Sequence, residues 1–472
     1  MANIVAIDQG TTSTRSLVVG EDGAVAIVKA IRHGQHHPNS GWVEHDPEEL
    51  LANIRICLET AGPAAAIGLS NQGESCLAWD AESGKPLSPV IVWQDGRTAD
   101  MAEKLRAAGK AATVLERAGL PLDSYFSATK FRWMLDNLPD VAKARAAGRL
   151  RLGTTDAFFL QRLTGEFATD ATTASRTSLM NLATGAWDEE LCALFGVPLD
   201  SLPPIRPTVA AFGQTPTGPI TASLVDQQAA LYGHRCRRAG DLKITFGTGA
   251  FCLAVTSTIP KAPALTGGLL PTVAWHIGDR LTYALDGGVY DVGSSIEWAI
   301  KTGIAGSVAD FHEFRRPPAI ERGLVFVPAF SGLACPHWDR SAAPLIIGLT
   351  PASDFEDLRQ ALLEGIALLT CDILAAMEAE VETGDVIAID GGLSRSPYFC
   401  QFLADSAGKA VALSDFDETT ALGTAQLAAL GIGVEIPAVS ASNRKFYEPK
   451  DAPRARWRER FRTAVGRTSG WR

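Results

Sequence analysis

Two short turns rich in glycine and threonine carry the residues best suited to chemistry in this chain. The first, residues 8–13 (DQGTTS), and the second, residues 247–249 (GTG), each follow an apolar run. In such a turn backbone N–H groups converge, threonine hydroxyls add donors, and glycine lets an anion come close. The carboxylate of Asp8 is suited to hold Mg²⁺ directly or through its water. The two turns therefore predict a phosphate-binding site with a metal ion.

A third glycine turn supports this interpretation. Residues 390–394 (DGGLS) follow an apolar run, so that bare backbone could lie against a nucleotide base or ribose. Any single turn could be an ordinary hairpin, but three together favour a nucleotide site. The P-loop pattern GxxxxGK[ST] is absent from the chain, and no GxGxxG pattern follows the first strand.

Phosphoryl transfer to an alcohol also needs a base that accepts the hydroxyl proton. Asp226 begins an apolar segment with helical character (DQQAAL), and the amide of Gln227 beside it could fix substrate hydroxyls. Two interpretations of Asp226 stay open at this point, a catalytic base and a helix N-cap, because aspartate is favoured in both places.

The segments around these residues alternate between strand-like and helical patterns, which is typical of an α/β fold. The strand and turn of residues 4–12 reappear at residues 242–251, about half the chain later, and this repeat predicts two related domains across a cleft. The longest predicted helix has Ser353 or Asp354 as its N-cap. The predicted strands span residues 4–7, 16–19, 66–70 and 90–93, and the predicted helices span residues 101–117 and 354–379.

Composition and charge argue against several classes of function. The formal net charge is -10, so we expect no nucleic-acid partner, and the basic segment 454–472 is interpreted as a solvated helix face. From the N-terminal residues we expect no signal peptide, and because no run of about 18 apolar residues occurs, we expect no membrane partner. The eight cysteines form no CxxC pair, which is typical of reduced thiols in a cytoplasmic protein.

The order of short motifs along nearly the whole chain resembles the FGGY family of carbohydrate kinases, and within it the glycerol kinases. Residues 348–364 resemble the C-terminal signature of the family, with Pro344 just before them as a modest departure from its pattern. The other matching blocks are residues 8–15 (DQGTTSTR), 42–47 (WVEHDP), 92–98 (VWQDGRT), 125–130 (YFSATK), 173–177 (TASRT), 226–231 (DQQAAL), 247–251 (GTGAF), 327–339 (VPAFSGLACPHWD) and 390–392 (DGG).

The resemblance implies two actin-like, ribonuclease-H-like ATPase domains that flank an interdomain catalytic cleft. Residues 1–233 would hold the acceptor and the first phosphate motif, and residues 234–472, with a C-terminal helix, the nucleotide. The implied activity is phosphorylation of a hydroxyl of glycerol or a related polyol or sugar by ATP. Its cofactor would be Mg²⁺ at Asp8, held through water.

The resemblance also implies a role for individual residues. Asp226 corresponds to the catalytic base. The acceptor would be bound by Glu74, Trp93, Tyr125, Asp226, Gln227 and Phe251. The nucleotide would be bound by Thr11, Thr12, Ser13, Arg15, Thr248, Gly249, Gly293, Glu297, Gly392 and Ser396, although the family has glutamine in place of Glu297 and asparagine in place of Ser396.

Two departures from the glycerol kinase pattern modify these expectations. Gly73 stands where that pattern has an arginine that would hold a terminal hydroxyl, so we expect a longer polyol or a ketose, such as erythritol, xylulose or ribulose, as an alternative acceptor. No lysine or arginine lies between Gly213 and Asp226, where bacterial glycerol kinases have a basic loop. We therefore expect no inhibition by fructose bisphosphate of the kind that this loop mediates.

Two other classes of protein compete with a kinase at this point. An ATPase module of the actin or Hsp70 type would use the same turns without a small acceptor, and a scaffold without catalysis would keep only the fold. The polyol-binding set and Asp226 argue against both. Self-association into a homodimer is left open.

Overall fold

The computed structural model describes residues 3–20, 24–260, 267–414, 416, 418–436 and 445–471. Met1, Ala2 and Arg472, which belong to the predicted domains, lie outside the described residues. A six-stranded sheet carries the first phosphate turn. Its strands, in spatial order, are β13 (Gln214–Thr215), β14 (Gly218–Val225), β5 (Ala66–Asn71), β1 (Ile4–Gln9), β2 (Ser13–Val19) and β3 (Val25–Arg32).

A seven-stranded sheet carries the second phosphate turn. Its strands, in spatial order, are β17 (Leu270–Ile277), β18 (Arg280–Val289), β16 (Ala250–Thr256), β15 (Leu242–Phe246), β21 (Val386–Gly391), β22 (Ala410–Leu413) and β23 (Phe446–Tyr447).

The two sheets share one local arrangement. β1 pairs antiparallel with β2 and parallel with β5, and β15 pairs antiparallel with β16 and parallel with β21. Each phosphate turn is thus the tip of a hairpin whose first strand is supported by a parallel strand. The repeat that the sequence predicted is present as a repeat of topology.

Shorter strands form four smaller sheets. One has four strands, and three are pairs. The first consists of β4 (Glu44–His45), β7 (Val90–Ile91), β6 (Cys76–Asp80) and β8 (Leu150–Thr154), and the pairs are β9 (Thr169–Asp170) with β12 (Ile205–Arg206), β10 (Met180–Asn181) with β11 (Ala186–Trp187), and β19 (Val325–Val327) with β20 (Leu345–Ile347).

Helices cover the sheets and complete the α/β fold. The α-helices are α1 (Pro47–Ala61), α2 (Ala99–Ala107), α3 (Ala111–Ala118), α4 (Ser127–Asn137), α5 (Pro139–Ala146), α6 (Thr155–Thr164), α7 (Ala171–Ala174), α8 (Glu189–Phe195), α9 (Asp226–Gly233), α10 (Gly293–Lys301), α11 (Phe355–Glu378), α12 (Pro397–Ala407), α13 (Thr419–Leu430) and α14 (Arg454–Val465), and the 3₁₀ segments are Leu199–Ser201, Val308–Phe311 and Gly392–Arg395.

α9 and α13 lie against each other at the centre of the molecule. Their backbones approach so closely that a Cβ atom on Gly423 would lie 1.9 Å from the carbonyl oxygen of Ala229. Any larger residue would have to separate the two helices. α13 follows the second sheet in the chain but also packs on the first, where a Cβ on Gly68 would lie 2.6 Å from the Thr424 carbonyl oxygen. This contact fixes the first sheet against the later part of the chain.

α11 is the core helix of the second sheet, and its prediction from apolar periodicity is confirmed. It begins at Phe355, and Asp354, one of the two predicted caps, accepts a hydrogen bond from the backbone N–H of Asp357. Among the described residues it is the one helix that has the length and hydropathy to cross a membrane, although 83% of its most apolar window is buried in the fold.

Two sequence predictions differ from the structure in their boundaries. The single helix predicted at residues 101–117 is two helices, α2 and α3, and Gly109 between them has a φ of 72°, a left-handed conformation that ends a helix. The strand predicted at residues 90–93 is only the two-residue β7.

Candidate active site

A cavity of about 160 Å³ lies between the tips of the two hairpins. Residues of both phosphate turns, Thr11, Gly247 and Thr248, form part of its wall. An adjoining cleft of about 970 Å³ shares Trp93, Tyr125 and Thr248 with the cavity. The cavity also contains the whole predicted acceptor set, namely Glu74, Trp93, Tyr125, Asp226, Gln227 and Phe251.

Asp226 is placed in the cavity by the end of β14 and the start of α9. The N-cap position belongs to Val225, which makes no side-chain cap, so the N-cap interpretation of Asp226 is wrong. Burial and then the negative charge of Asp8 raise the pKa of Asp226 to about 7, while the charge of Lys243 opposes the rise. A carboxyl with a pKa near neutrality can both accept and release a proton under ordinary conditions.

Asp8 lies at the end of β1, close enough to influence Asp226. It accepts a hydrogen bond from the Ser70 hydroxyl at 3.2 Å. Burial raises its pKa to about 6, against the attraction of Arg15. The described residues contain no group of three or more His, Cys, Asp and Glu side chains placed to hold a metal ion. A lone buried carboxylate fits Mg²⁺, which takes one or two carboxylates and otherwise uses water and substrate phosphates.

The first phosphate turn is closed by a hydrogen bond from the Gly10 N–H to the Ser13 carbonyl oxygen at 3.0 Å. Thr12 at its tip is exposed, while the Thr11 hydroxyl accepts a hydrogen bond from the Trp93 indole N–H at 3.1 Å. Trp93 in turn packs edge-on against Tyr125 and Phe251, with ring centroids 5.5 and 6.0 Å away. The phosphate turn and the aromatic wall of the cavity are therefore directly connected.

The second phosphate turn is held by α10. The N–H groups of Val292 and Gly293 donate to the Thr248 carbonyl oxygen at 3.0 and 2.9 Å. A Cβ on Gly249 would lie 2.6 Å from the Val289 carbonyl oxygen, and one on Gly293 would lie 2.9 Å from that of Gly247. Both glycines thus serve close backbone packing that brings the N-terminus of α10 to the turn, and Thr248 is left exposed.

Eight of the ten members of the predicted nucleotide set lie outside the cavity wall, which includes Thr11 and Thr248 of that set. Gly392 is exposed in the third glycine turn, and Glu297 is exposed on α10 one helical turn beyond Gly293. Ser396 is buried as the N-cap of α12, where its hydroxyl donates to the Phe311 carbonyl oxygen at 2.7 Å. Its hydrogen is therefore engaged in holding this helix.

Arg15, another predicted nucleotide contact, pairs with a carboxylate in this structure. Its Nη1 atom lies 2.7 Å from Glu418 Oε2, just before α13. The guanidinium is 37% exposed, so the pair links the first hairpin to the far end of the chain at the surface.

Three charged residues of the site escaped the sequence analysis. Arg176 and Asp286 line the cavity, and Lys243 lies behind it, where its ammonium donates to Gln227 Oε1 at 2.6 Å and to the Thr245 hydroxyl at 2.9 Å. Because Oε1 of Gln227 is taken by Lys243, its amide NH₂ is available to the cavity. Arg176 stands within the matching block of residues 173–177, and Lys243 interrupts an apolar strand. The sequence near each of them could therefore have identified it as a candidate site residue.

Glu74 has a backbone conformation that is rare for a residue with a side chain. Its φ is 58°, and such left-handed residues concentrate at functional sites. The Ser127 hydroxyl donates to its carbonyl oxygen at 2.8 Å, while its carboxylate pairs with Arg176 at 2.6 Å. Burial raises the pKa of Glu74, and Arg176 counteracts this rise.

Gly73 does not leave the cavity without a guanidinium. A Cβ atom at this position would lie 3.1 Å from Val225 Cγ1 and 4.0 Å from Arg176 Cγ. A side chain at position 73 would therefore press on Val225 and lie in contact with Arg176, which already brings a positive charge to the cavity wall.

Family models match most of the chain. The N-terminal domain of the FGGY family of carbohydrate kinases matches residues 3–233, and its C-terminal domain matches residues 242–432. A glycerol kinase of Koribacter versatilis is 39% identical, with 99% of this chain and 98% of that protein covered. A glycerol kinase of Methylobacterium nodulans is 42% identical, with 91% and 90% covered.

Solved structures agree in fold over the whole chain. The crystal structure of Plasmodium falciparum glycerol kinase with ADP superposes with a TM-score of 0.90 at 30% identity, covering 99% of this chain and 98% of that one. The crystal structure of xylulose kinase from Rhodospirillum rubrum has a TM-score of 0.84 at 25% identity, covering 98% of each chain.

Proposed function

The chain belongs to the FGGY family of carbohydrate kinases, and on that premise we propose that it transfers the γ-phosphoryl group of ATP to a hydroxyl of glycerol. As a member of this family it is an ATP-dependent sugar or polyol kinase that uses Mg²⁺. One observation carries the choice of site: Asp226, Gln227 and Glu74 share a single small cavity with three aromatic walls and with threonines of both phosphate turns.

The proposed chemistry is direct transfer. The acceptor hydroxyl gives its proton to the Asp226 carboxylate while its oxygen attacks the γ-phosphorus, and the bond from that phosphorus to the β–γ bridging oxygen breaks to release ADP. Asp226 with a pKa of about 7 is matched to this exchange. Trp93, Tyr125 and Phe251 cover the carbon atoms of the acceptor and exclude water.

The nucleotide phosphates are proposed to lie between the two hairpin tips. Thr11, Thr12 and Ser13 offer hydroxyl and N–H donors from one side, and Thr248 and Gly249 from the other, where the N-terminus of α10 adds its favourable dipole. Gly293, Gly392, Glu297 and Ser396 would flank the rest of the nucleotide. Mg²⁺ neutralises phosphate charge when it is bound, and Asp8 is the carboxylate proposed to hold it, directly or through water.

We propose glycerol as the acceptor rather than the longer polyols and ketoses that the sequence suggested because of Gly73. The relatives that cover nearly all of this chain are named glycerol kinases, and Arg176 supplies a guanidinium within the same cavity.

An ADP-release assay with glycerol, erythritol, xylitol, xylulose and ribulose tests the proposal. We expect the kcat/KM for glycerol to exceed every other value at least about tenfold, which is the discrimination that one or two misplaced carbons produce in such a pocket. A four- or five-carbon acceptor that equals glycerol would refute the choice of acceptor while leaving the kinase intact. ADP release that is independent of any acceptor would instead favour an ATPase module.

We also propose a domain boundary, a cellular location with the partners it excludes, and the lack of one kind of inhibition. We propose that the domains divide between residues 233 and 234; the first family model ends at residue 233 and the second begins at residue 242. We propose that the protein works in the cytoplasm, since its eight cysteines are buried and form no disulfide, as is typical of reducing compartments. We also propose that it has no nucleic-acid or membrane partner, in line with its net charge of -10. Fructose bisphosphate does not inhibit it, because β13 and β14 form a tight hairpin without lysine or arginine before Asp226. Sizing of the protein in solution would decide between a monomer and a homodimer.

A further inference from the structure

Arg176 is a buried cation at the junction of the two halves of the molecule. It follows α7 by two residues, and its side chain is only 4% exposed. Its Nε atom donates to Glu74 Oε1 at 2.6 Å, and its Nη2 atom lies 3.0 Å from Asp286 Oδ2 on β18. Two carboxylates, one from each half, therefore fix the plane of the guanidinium.

The third nitrogen of this guanidinium has no such partner. Nη1 of Arg176 is buried and makes no hydrogen bond to another described atom, although Arg176 is part of the cavity wall. A buried donor without an acceptor destabilises a fold, and a ligand is one of the groups that can complete it where a cavity adjoins the side chain. The cavity beside it is the place where the acceptor is proposed to bind.

We propose that Arg176 is an acceptor-binding, specificity-determining residue whose Nη1 donates a hydrogen bond to a hydroxyl of glycerol that is not phosphorylated. This inference rests on the function proposed above. Glu74 and Asp286 hold the guanidinium so that its free N–H groups keep a fixed direction. A hydrogen bond from a charged donor in such a site discriminates strongly against an acceptor that lacks the hydroxyl.

The competing explanation is an ion-pair clamp with no role in binding, and Arg97 provides the matched control. Arg97 is also buried, pairs with Asp95 and Glu44 at 2.7 Å each, and has an Nη1 atom without a partner. Its guanidinium lies over the Trp42 ring at 3.8 Å, and it is not part of the cavity wall. A lysine at either position removes a comparable set of ion pairs, but only Arg176 lines the cavity proposed for the acceptor.

The test compares Arg176→Lys and Arg97→Lys with three acceptors: glycerol, 1,2-propanediol, which lacks one terminal hydroxyl, and 1,3-propanediol, which lacks the central one. The unaltered enzyme should use one diol at least about tenfold less efficiently than glycerol because the contacted hydroxyl is missing. In Arg176→Lys this preference should shrink to within about threefold, through a higher KM for glycerol and an unchanged KM for ATP. Arg97→Lys should keep the full preference.

The possible results separate this inference from the proposed function. If the unaltered enzyme does not phosphorylate glycerol, the proposed function fails. If it does, and Arg176→Lys retains the preference for glycerol, the inference is overturned. Should Arg176→Lys not fold, Arg176→Gln is measured in the same way. Arginine side-chain ¹⁵N spectra of the unaltered enzyme provide an independent check. One Nη signal should change with glycerol and not with the poorly used diol, and equal spectra for both ligands would contradict the proposal.

Discussion

The two hairpins of this kinase have the same strand pairing but place their carboxylates in opposite electrostatic surroundings. In the first hairpin Asp8 on β1 lies opposite Arg15 and beside Ser70 of β5. In the second, Thr245 takes the place of Asp8, and the acid stands on the supporting strand as Asp390 of β21. The same pairing of strands thus carries two different arrangements of charged residues.

The difference in partners decides what each carboxylate can do. His234 Nε2 lies 2.8 Å from Asp390, and although burial acts in the opposite direction, His234 and Lys243 hold the pKa of Asp390 below its usual value. Arg15 lowers the pKa of Asp8 and Lys243 lowers that of Asp226, but neither outweighs burial, which raises the two pKa values to about 6 and about 7. The first half therefore keeps reactive, incompletely neutralised carboxylates, whereas the second half uses its carboxylate to stabilise the fold.

The largest effect is expected for Asp226→Asn. An amide cannot accept the hydroxyl proton, so kcat should fall about 10²- to 10⁴-fold, as for loss of a general base. The dissociation constant for ATP, measured by titration calorimetry, should change less than threefold because Asp226 faces the acceptor. Turnover near that of the unaltered enzyme would show that another group accepts the proton.

A paired substitution tests the contrast between Asp8 and Asp390. Asp8→Asn should lower kcat about 10- to 100-fold and raise the Mg²⁺ concentration needed for half-maximal activity, because a ligand of the metal or of its water is lost. Asp390→Asn should instead lower the free energy of unfolding by about 3 kcal/mol, the usual cost of breaking a buried ion pair, with kcat within about threefold. Urea unfolding and the Mg²⁺ dependence of the rate measure both. If the two variants exchange these effects, the comparison between the hairpins is wrong.

The sequence predicted the strands and helices better than it predicted the charged residues of the site. The strands before both phosphate turns were visible as apolar runs that end in glycine and threonine, and α11 was visible from its periodicity. These signals are local. The break between α2 and α3 at Gly109 was also local, but the apolar spacing on both sides outweighed a single glycine in the prediction.

The missed residues show why the site could be predicted only in part. Asp286 lies within the regular strand β18, where residues 286–288 (DGG) repeat the letters of residues 390–392, and β18 pairs with β16 through Leu253 and Asp286. Arg176 becomes part of the acceptor wall only when Glu74 and Asp286, 102 and 110 positions away in the printed sequence, are brought to it by the fold. Such long-range pairing has no counterpart in local composition or spacing.

The pH dependence tests whether Lys243 tunes Asp226. Only ionised Asp226 accepts a proton, so kcat/KM for the acceptor should rise with pH through a midpoint near 7, the pKa of this group. Lys243 lowers that pKa, so Lys243→Met should move the midpoint to higher pH. Each unit of displacement costs about tenfold in rate below the midpoint.

Lys130→Met is the control for this prediction. Lys130 is equally buried and donates to the Tyr125 carbonyl oxygen at 2.6 Å, but its charge is not among the main causes of the pKa shift of Asp226. The substitution should change the size of kcat/KM without moving its midpoint. Equal displacement in both variants would mean that general loss of packing, rather than the charge of Lys243, sets the profile.

The smallest effect is expected at the surface pair of Arg15 and Glu418. This pair links the first hairpin to the residue that precedes α13. Both side chains are partly exposed, so the pair itself should contribute less than about 1 kcal/mol to the free energy of unfolding. If Arg15 leaves Glu418 to contact phosphate when ATP binds, Arg15→Met should raise the KM for ATP about three- to tenfold. Glu418→Gln, which frees the guanidinium without removing it, should leave that KM unchanged or lower it. Identical KM values for the two variants would indicate a structural pair only, and the first hairpin would then bind phosphate through its threonines, as the second does.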